Sequence, residues 1–143
     1  MKTIAIVNGP NLHRLGQREP GVYGDGSLAD LEATLQAEAE QLGVALRFFQ
    51  SNHEGALVEH LWELADAGVT GVIFNPAAYT HTSVALRDAI KGAGLKVIEV
   101  HISNVHTREA FRHHSYISPV AAGVICGLGL KGYSLALHAL AGQ

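Results

Sequence analysis

The feature that most constrains this chain is an alternation between short β-branched apolar runs and helix-periodic stretches. Four runs, "TIAIV", "ALRFF", "GVIF" and "KVIEV", come first, and a fifth, "GVICG", comes late. Between and after them apolar residues recur at helical spacing. In "SLADLEATLQAEAEQLG" these are Leu28, Leu31, Leu35 and Leu42, with Gly43 as the stop and Ser27 with Asp30 as a capping box with a shortened acid. "HEGALVEHLWELADAG" carries Leu57, Leu61, Leu64 and Ala65 as a stripe ahead of Gly68. "TSVALRDAIKGAG" places Val84, Ala85, Ala89 and Ile90 on roughly one side, and Thr82 or Ser83 suits the cap. Thr107 is expected to open a short helix through "REAFRHH", and "GYSLALHALA" reads as a last helix.

Strands that alternate with helices argue for a parallel sheet covered on both faces, and continuous apolar runs suit buried parallel strands. Five such strands in 143 residues predict an α/β, flavodoxin-like, doubly wound five-stranded parallel sheet, a single domain over residues 1–143. In such sheets ligands bind outside the carboxyl ends of the strands. Those ends carry "NGPN", "QSNHE", "NPAAYTH" and "HISN", so polar side chains are expected on one rim. Ordinary turn chemistry explains any one of these loops; four on the same rim point to a small polar ligand.

The net charge of −3 gives no general attraction to nucleic acid, and no apolar run is long enough for a spanning helix. The opening "MKTIAIVNGPN" passes straight into strand-like sequence and reads as no signal peptide. The single cysteine, Cys126, fits a reducing compartment such as the cytoplasm and a buried, inert thiol.

Nine histidines in a chain of this size require a reading each. "HEGAL" starts like a zinc-protease helix but has Leu57 where the second histidine belongs, and His113 and His114 are adjacent and diverge on a helix. No metal site is expected. "GLGLKG" matches G-x-G-x-x-G after a strand, yet only eleven residues follow Gly132, too few for the second strand and its acidic residue. Close helix–strand packing accounts better for these glycines. On the positive side, Glu99 and His101 lie two apart on a strand and share a face, where a carboxylate orients an imidazole. Arg18 and Tyr23 lie in the Gly- and Pro-punctuated "LGQREPGVYGDG", where a guanidinium would favour phenolate; a surface loop with incidental Arg and Tyr is the competing reading.

Taken together, "NGPNL", "LGQREPGVYG", "NPAAYTHTSVALRDAI", "EVHISN" and "FRHHSYISPVAAGVICGLGLKGY" resemble type II 3-dehydroquinate dehydratase, over nearly the whole chain and in that family's order. The resemblance implies a cofactor-free dehydration of a small-molecule substrate in the shikimate pathway, and a homododecamer built as a tetramer of trimers. It implies that Tyr23 is the general base with Arg18 as its electrostatic partner, and that Asn11 holds a water at the enolate oxygen. His101 would protonate the departing hydroxyl, oriented by Glu99. Asn75, His81 and Arg112 would bind substrate hydroxyl and carboxylate groups, Ile102 and Ser103 would offer backbone amides, and Asp88 would reach the site from a neighbouring subunit. The loop around Arg18, with Gly16, Gly21, Gly24 and Gly26, would act as a lid. Two positions depart from the pattern. Ala77 stands where the family usually has glycine, and Ile102 stands where another aliphatic residue is common. Lys2, Lys91, Lys96 and Lys131 are the only lysines and none belongs clearly to the polar rim, so an imine mechanism has little support. The competing functional readings are a non-catalytic flavodoxin-like binder of a nucleotide or anion, and a response-regulator-like domain, which the absence of an acidic cluster after the first strand disfavours.

Overall fold

A computed structural model describes residues 1–17, 21 and 26–142. Five strands, β1 (Thr3–Asn8), β2 (Ala45–Gln50), β3 (Gly71–Asn75), β4 (Val97–His101) and β5 (Gly123–Cys126), pair entirely in parallel in the order β2-β1-β3-β4-β5. Helices α1 (Leu28–Leu42), α2 (Glu54–Asp66), α3 (Val84–Ala93) and α4 (Lys131–Ala141) cover both faces. This is the expected flavodoxin-like, doubly wound architecture.

The strand period of two divides the core into two layers. Ile4, Ile6, Ile73, Ile98 and Val100 face α1 and α4 through Leu31, Leu35, Tyr133, Leu137 and Leu140. Ala5, Val7, Val72, Phe74 and Val97 face α2 and α3 through Leu57, Leu61, Leu64, Leu86 and Ile90. β1 and β3 lie in the middle of the sheet and are nearly all buried, whereas the edge strands β2 and β5 are half-exposed.

Local chemistry sets the helix ends. At α1 the Ser27 hydroxyl accepts from the Asp30 N–H and the Asp30 carboxylate accepts from the Ser27 N–H, so the capping box forms as expected. Gly43 ends the helix at φ 71°, a conformation that glycine adopts without strain. At α3 the cap is Ser83, whose hydroxyl accepts from the Leu86 N–H at 2.9 Å.

Two expectations change. The buried stripe of α3 is Leu86, Ala89 and Ile90, while Val84 and Ala85 are exposed, because the helix turns its i, i+3, i+4 set beginning at Leu86 onto the sheet. The helix expected from Thr107 is instead two 3-10 turns, Val105–Thr107 and Ala110–Arg112. The Asn104 carboxamide caps the first turn, and extended backbone at Arg108 and Glu109 separates the two.

The register brings the polar rim together. Asn8 pairs with Gln50 on one side and with Asn75 on the other, so the ends of three strands place amide side chains in one row.

Candidate active site

The row of amides continues into a cleft, partly open to solvent, above the carboxyl ends of β1, β3 and β4. Asn11, Asn75, His81, His101, Ile102, Ser103 and Arg112 all line it, and Pro10, Leu12, Ala77 and Val105 supply apolar wall. Seven of the sequence-derived candidates therefore meet at one place, with Glu99 directly behind His101. Asp88 does not line the cleft; it is exposed on α3. Arg18 and Tyr23, with the lid expected around them, lie outside the described residues.

The loop after β1 is pressed against the loop after β3. The Gly9 N–H donates to the Asn75 carbonyl at 2.8 Å, and a Cβ at Gly9 would stand 2.5 Å from the Pro76 carbonyl oxygen. Only glycine permits this approach. Asn11 follows at φ 71°, its N–H held by the Asn52 carboxamide oxygen at 2.9 Å. Gln50 donates to the Gly9 carbonyl and to the Asn52 side chain, and the Tyr79 hydroxyl donates to the Asn52 carbonyl. Much of the polar crowding after β2 is thus structural and fixes the loop that carries Asn11.

Beyond β3, the Asn75 carboxamide oxygen accepts from the Ala77 N–H at 3.0 Å, while its nitrogen donates to the Tyr133 hydroxyl at 2.8 Å. Ala77 has φ 53°, in the left-handed region that costs an L-residue about 1–2 kcal/mol. The turn keeps a glycine-type conformation although the side chain is a methyl group. His81 follows, with its Nδ1 bonded to the His114 carbonyl at 2.8 Å. A carbonyl only accepts, so Nδ1 carries the hydrogen and Nε2 offers a lone pair. Burial holds this imidazole below its ordinary pKa of 6.5 against the opposing hydrogen bond, leaving a neutral ring near pH 7. The His81 and His101 rings lie 6.4 Å apart and nearly parallel.

β4 carries the centre of the site. His101 and Glu99 project to the same face, and the His101 Nε2–H donates to Glu99 Oε2 at 2.5 Å. The carboxylate is 1% exposed and surrounded by hydroxyl donors. Thr80 reaches Oε2 at 2.7 Å, Ser118 reaches Oε1 at 2.6 Å, and Ser115 lies 3.0 and 3.2 Å from the two oxygens. Ser115 itself accepts from the backbone N–H groups of Ile117 and Ser118. Burial pushes the Glu99 carboxyl up, but the bond and charge of His101, then Ser118 and Thr80, outweigh it and hold the pKa at about 2. Glu99 is an ionised, immobilised orienter of His101.

The far rim is cationic. Arg112 donates from Nε to Glu109 at 3.1 Å, and Arg108, which also lines the cleft, donates to the Ser103 hydroxyl at 3.1 Å while its Nε lies 3.9 Å from the same Glu109. Two guanidinium groups thus stand together at the cleft beside the exposed Glu109 carboxylate. Cys126 is half-buried rather than fully buried, its thiol 3.5 Å from the Ser103 carbonyl.

The two tempting motifs resolve as packing and caps. In "GLGLKG", Gly127 and Gly129 have positive φ, and a Cβ on Gly132 would crowd Ile125 at 3.2 Å and Val100 at 3.4 Å. Gly132 seats α4 closely on the sheet, as expected, whereas Gly127, against Asn104, and Gly129, with open space around it, serve the positive-φ turn before the helix. His53 of "HEGAL" merely precedes α2. Among the described residues no group of three or more His, Cys, Asp or Glu side chains is arranged to hold a metal ion.

The residues that the sequence left unmarked are Thr80, Ser115, Ser118, Arg108 and Tyr133. Ser115 and Ser118 carry a weak signal, since their spacing suits a hydroxyl-capped turn. Arg108 had the signal of a second arginine four residues before Arg112. Nothing local marks Thr80 or Tyr133 as partners of β-strand side chains.

A sequence model of the family described as "Dehydroquinase class II" matches residues 2–141. The chain is 60% identical over 139 residues to a 3-dehydroquinate dehydratase of Azorhizobium caulinodans, covering 97% of this chain and 93% of that one. It is 55% identical over 140 residues to "Catabolic 3-dehydroquinase 1" of Aspergillus fumigatus, covering 98% and 93%. The crystal structure of type II dehydroquinase from Propionibacterium acnes superposes with a TM-score of 0.96 at 44% identity, covering 100% of this chain and 98% of that one. The corresponding structure from Butyrivibrio crossotus gives 0.95 at 44% identity, with 97% of each chain covered. With this sheet order, this cleft and these relatives, the chain belongs to the class II dehydroquinase family.

Proposed function

We propose that the chain is a hydro-lyase that dehydrates 3-dehydroquinate to 3-dehydroshikimate by anti elimination through an enolate, without a Schiff base. The observation that carries this reading is the His101–Glu99 pair at the floor of a cleft whose far rim holds Arg108 and Arg112.

The substrate is a β-hydroxy ketone bearing a carboxylate. Its elimination needs a base for the proton next to the carbonyl, support for the enolate oxygen and an acid for the leaving hydroxyl. Tyr23, made phenolate by Arg18, is the proposed base. It takes the carbon-bound proton, and the electron pair moves onto the carbonyl oxygen, stabilised by a water that Asn11 holds. Collapse of the enolate forms the carbon–carbon double bond and expels the β-hydroxyl, which leaves as water with the proton from His101. Glu99 keeps the imidazole aimed by accepting the hydrogen bond from its Nε2–H. The neutral His81 offers an acceptor and Asn75 a donor for substrate hydroxyls, while Arg112 and the backbone at Ile102 and Ser103 receive the carboxylate. Asp88, exposed on α3, is proposed to complete a neighbouring subunit's site rather than its own.

An imine route would need a lysine at the cleft. None of Lys2, Lys91, Lys96 and Lys131 lines it, and Lys2 is bonded to the Ala141 carbonyl. The proposed route uses no metal or organic cofactor. The same proposal includes assembly into a homododecamer, supported by exposed apolar side chains such as Trp62, Val84, Phe111 and Val124. It also includes a cytoplasmic place in the shikimate pathway; among the described residues no helix is long and apolar enough to cross a membrane. Relatives bear both the plain dehydratase name and the catabolic one.

The test is an absorbance assay for the conjugated enone product, run with and without borohydride. Turnover that survives borohydride supports the proposal; absence of enone, or inactivation by borohydride that depends on substrate, contradicts it.

A further inference from the structure

The "GLGLKGY" segment ends in a tyrosine that the proposed chemistry does not use. Tyr133 lies on α4, on the sheet face opposite to His101, and is fully buried. Its hydroxyl donates to Asn8 Oδ1 at 2.6 Å and accepts from Asn75 Nδ2 at 2.8 Å. Asn8 and Asn75 are register partners at the ends of β1 and β3, with exposures of 2% and 3%.

The direction of these bonds follows from one group that has no choice. The backbone N–H of Ala77 can only donate, and it points at the Asn75 side chain. The atom facing it is therefore the carboxamide oxygen, so the nitrogen faces Tyr133. The Tyr133 oxygen must accept that hydrogen bond, and its single hydrogen is left for Asn8 Oδ1. A carboxamide nitrogen carries two hydrogens, and one of the Asn75 pair goes to Tyr133. The second has no acceptor among the described residues, and Asn75 lines the cleft.

We propose that Tyr133 and Asn8 are positioning residues: the Ala77 N–H sets which way the Asn75 amide is flipped, and the Tyr133 hydroxyl, itself oriented by Asn8, anchors the amide nitrogen so that its second hydrogen is presented to the ligand in the cleft as a donor. Without the Tyr133 hydroxyl, the Asn75 nitrogen loses its buried partner, and the amide, held only through its oxygen by the Ala77 N–H, is less firmly aimed into the cleft. A purely structural role would bind β1, β3 and α4 together but leave ligand binding unchanged.

Neutron diffraction from deuterium-exchanged crystals decides the polarity directly, without reference to activity. The expected result is a deuteron on Tyr133 aimed at Asn8 Oδ1, one on Asn75 aimed at Tyr133, and the second Asn75 deuteron aimed into the cleft. A Tyr133 deuteron aimed at Asn75 overturns the inference. The kinetic arm rests on the dehydratase reading. In Tyr133→Phe the KM for 3-dehydroquinate should rise roughly 10-fold, about one hydrogen bond's worth, with kcat changed much less. Adding Tyr133→Phe to Asn75→Ala should cost nothing beyond Asn75→Ala alone. A lower melting temperature with unchanged KM, or fully multiplicative effects in the double variant, would leave Tyr133 a packing residue. If the wild-type chain makes no enone, the dehydratase reading fails while the deuteron positions still decide this inference; if Tyr133→Phe does not fold, the wild-type crystals suffice.

Discussion

Glu99 makes the folded state itself pH-dependent, and the size of the effect follows from its surroundings. Its carboxyl is held at about 2 against an ordinary 4.5. Because the folded value is the lower one, the stabilisation is fully present above about pH 4.5 and is lost as pH falls towards 2. At about 1.4 kcal/mol per unit the full effect is on the order of 3 kcal/mol, with roughly 2 kcal/mol gone by pH 3. The perturbation that isolates it is Glu99→Gln, which keeps the shape and removes the titration. Other carboxylates titrate in the same window, so the informative quantity is the difference between the two proteins. Urea unfolding from pH 6 to pH 3, at one protein concentration, should show the wild type losing about 2 kcal/mol more than Glu99→Gln. The variant should start lower at pH 6, because Thr80, Ser115, Ser118 and His101 lose the anion they surround. Parallel stability curves for the two proteins would show that Glu99 is not held ionised by these donors, and the account of the His101 orientation would fall with it.

Gly9→Ala should destabilise the fold by about 2 kcal/mol or more and impair substrate binding, since the new methyl would meet the Pro76 carbonyl oxygen at 2.5 Å; unchanged urea midpoint and KM would contradict that packing. Ala77→Gly relieves a left-handed φ of 53° but loosens the unfolded chain, so a net gain below about 1 kcal/mol is expected in thermal melts, with a clear loss as the contrary result. Tyr23→Phe and Arg18→Ala should each cut kcat by orders of magnitude while circular dichroism stays native; full activity in Tyr23→Phe would remove the proposed base.

The fold was legible because its strands are short, β-branched and bounded by turn residues, and because Gly43 stops α1 where the sequence says it should. The one misread face, at α3, came from counting Val84 and Ala85 as core when Leu86 sets the phase of the helix. The segment after Thr107 misled because it has helix-forming residues, yet Asn104 caps a single turn and the backbone at Arg108 and Glu109 breaks the run, which carries Arg108 and Arg112 to the cleft. Glu99 and His101 were readable as a pair because strand geometry puts i and i+2 on one face. The hydroxyls around Glu99 were not, because Thr80, Ser115 and Ser118 converge only once β3, β4 and the loop before β5 are assembled. Tyr133 was hidden for the same reason: its partners are 58 and 125 residues away in the chain. The pairing of Arg18 with Tyr23 lies outside the described residues and stands on the family resemblance.

The central claim is that a histidine fixed by a buried carboxylate releases the hydroxyl of 3-dehydroquinate. The most direct measurement is the rate of enone appearance from 3-dehydroquinate, wild type beside a natively folded His101→Ala variant. The account predicts steady turnover by the wild type and a rate lower by orders of magnitude in the variant; equal rates, or no enone from either protein, would contradict it.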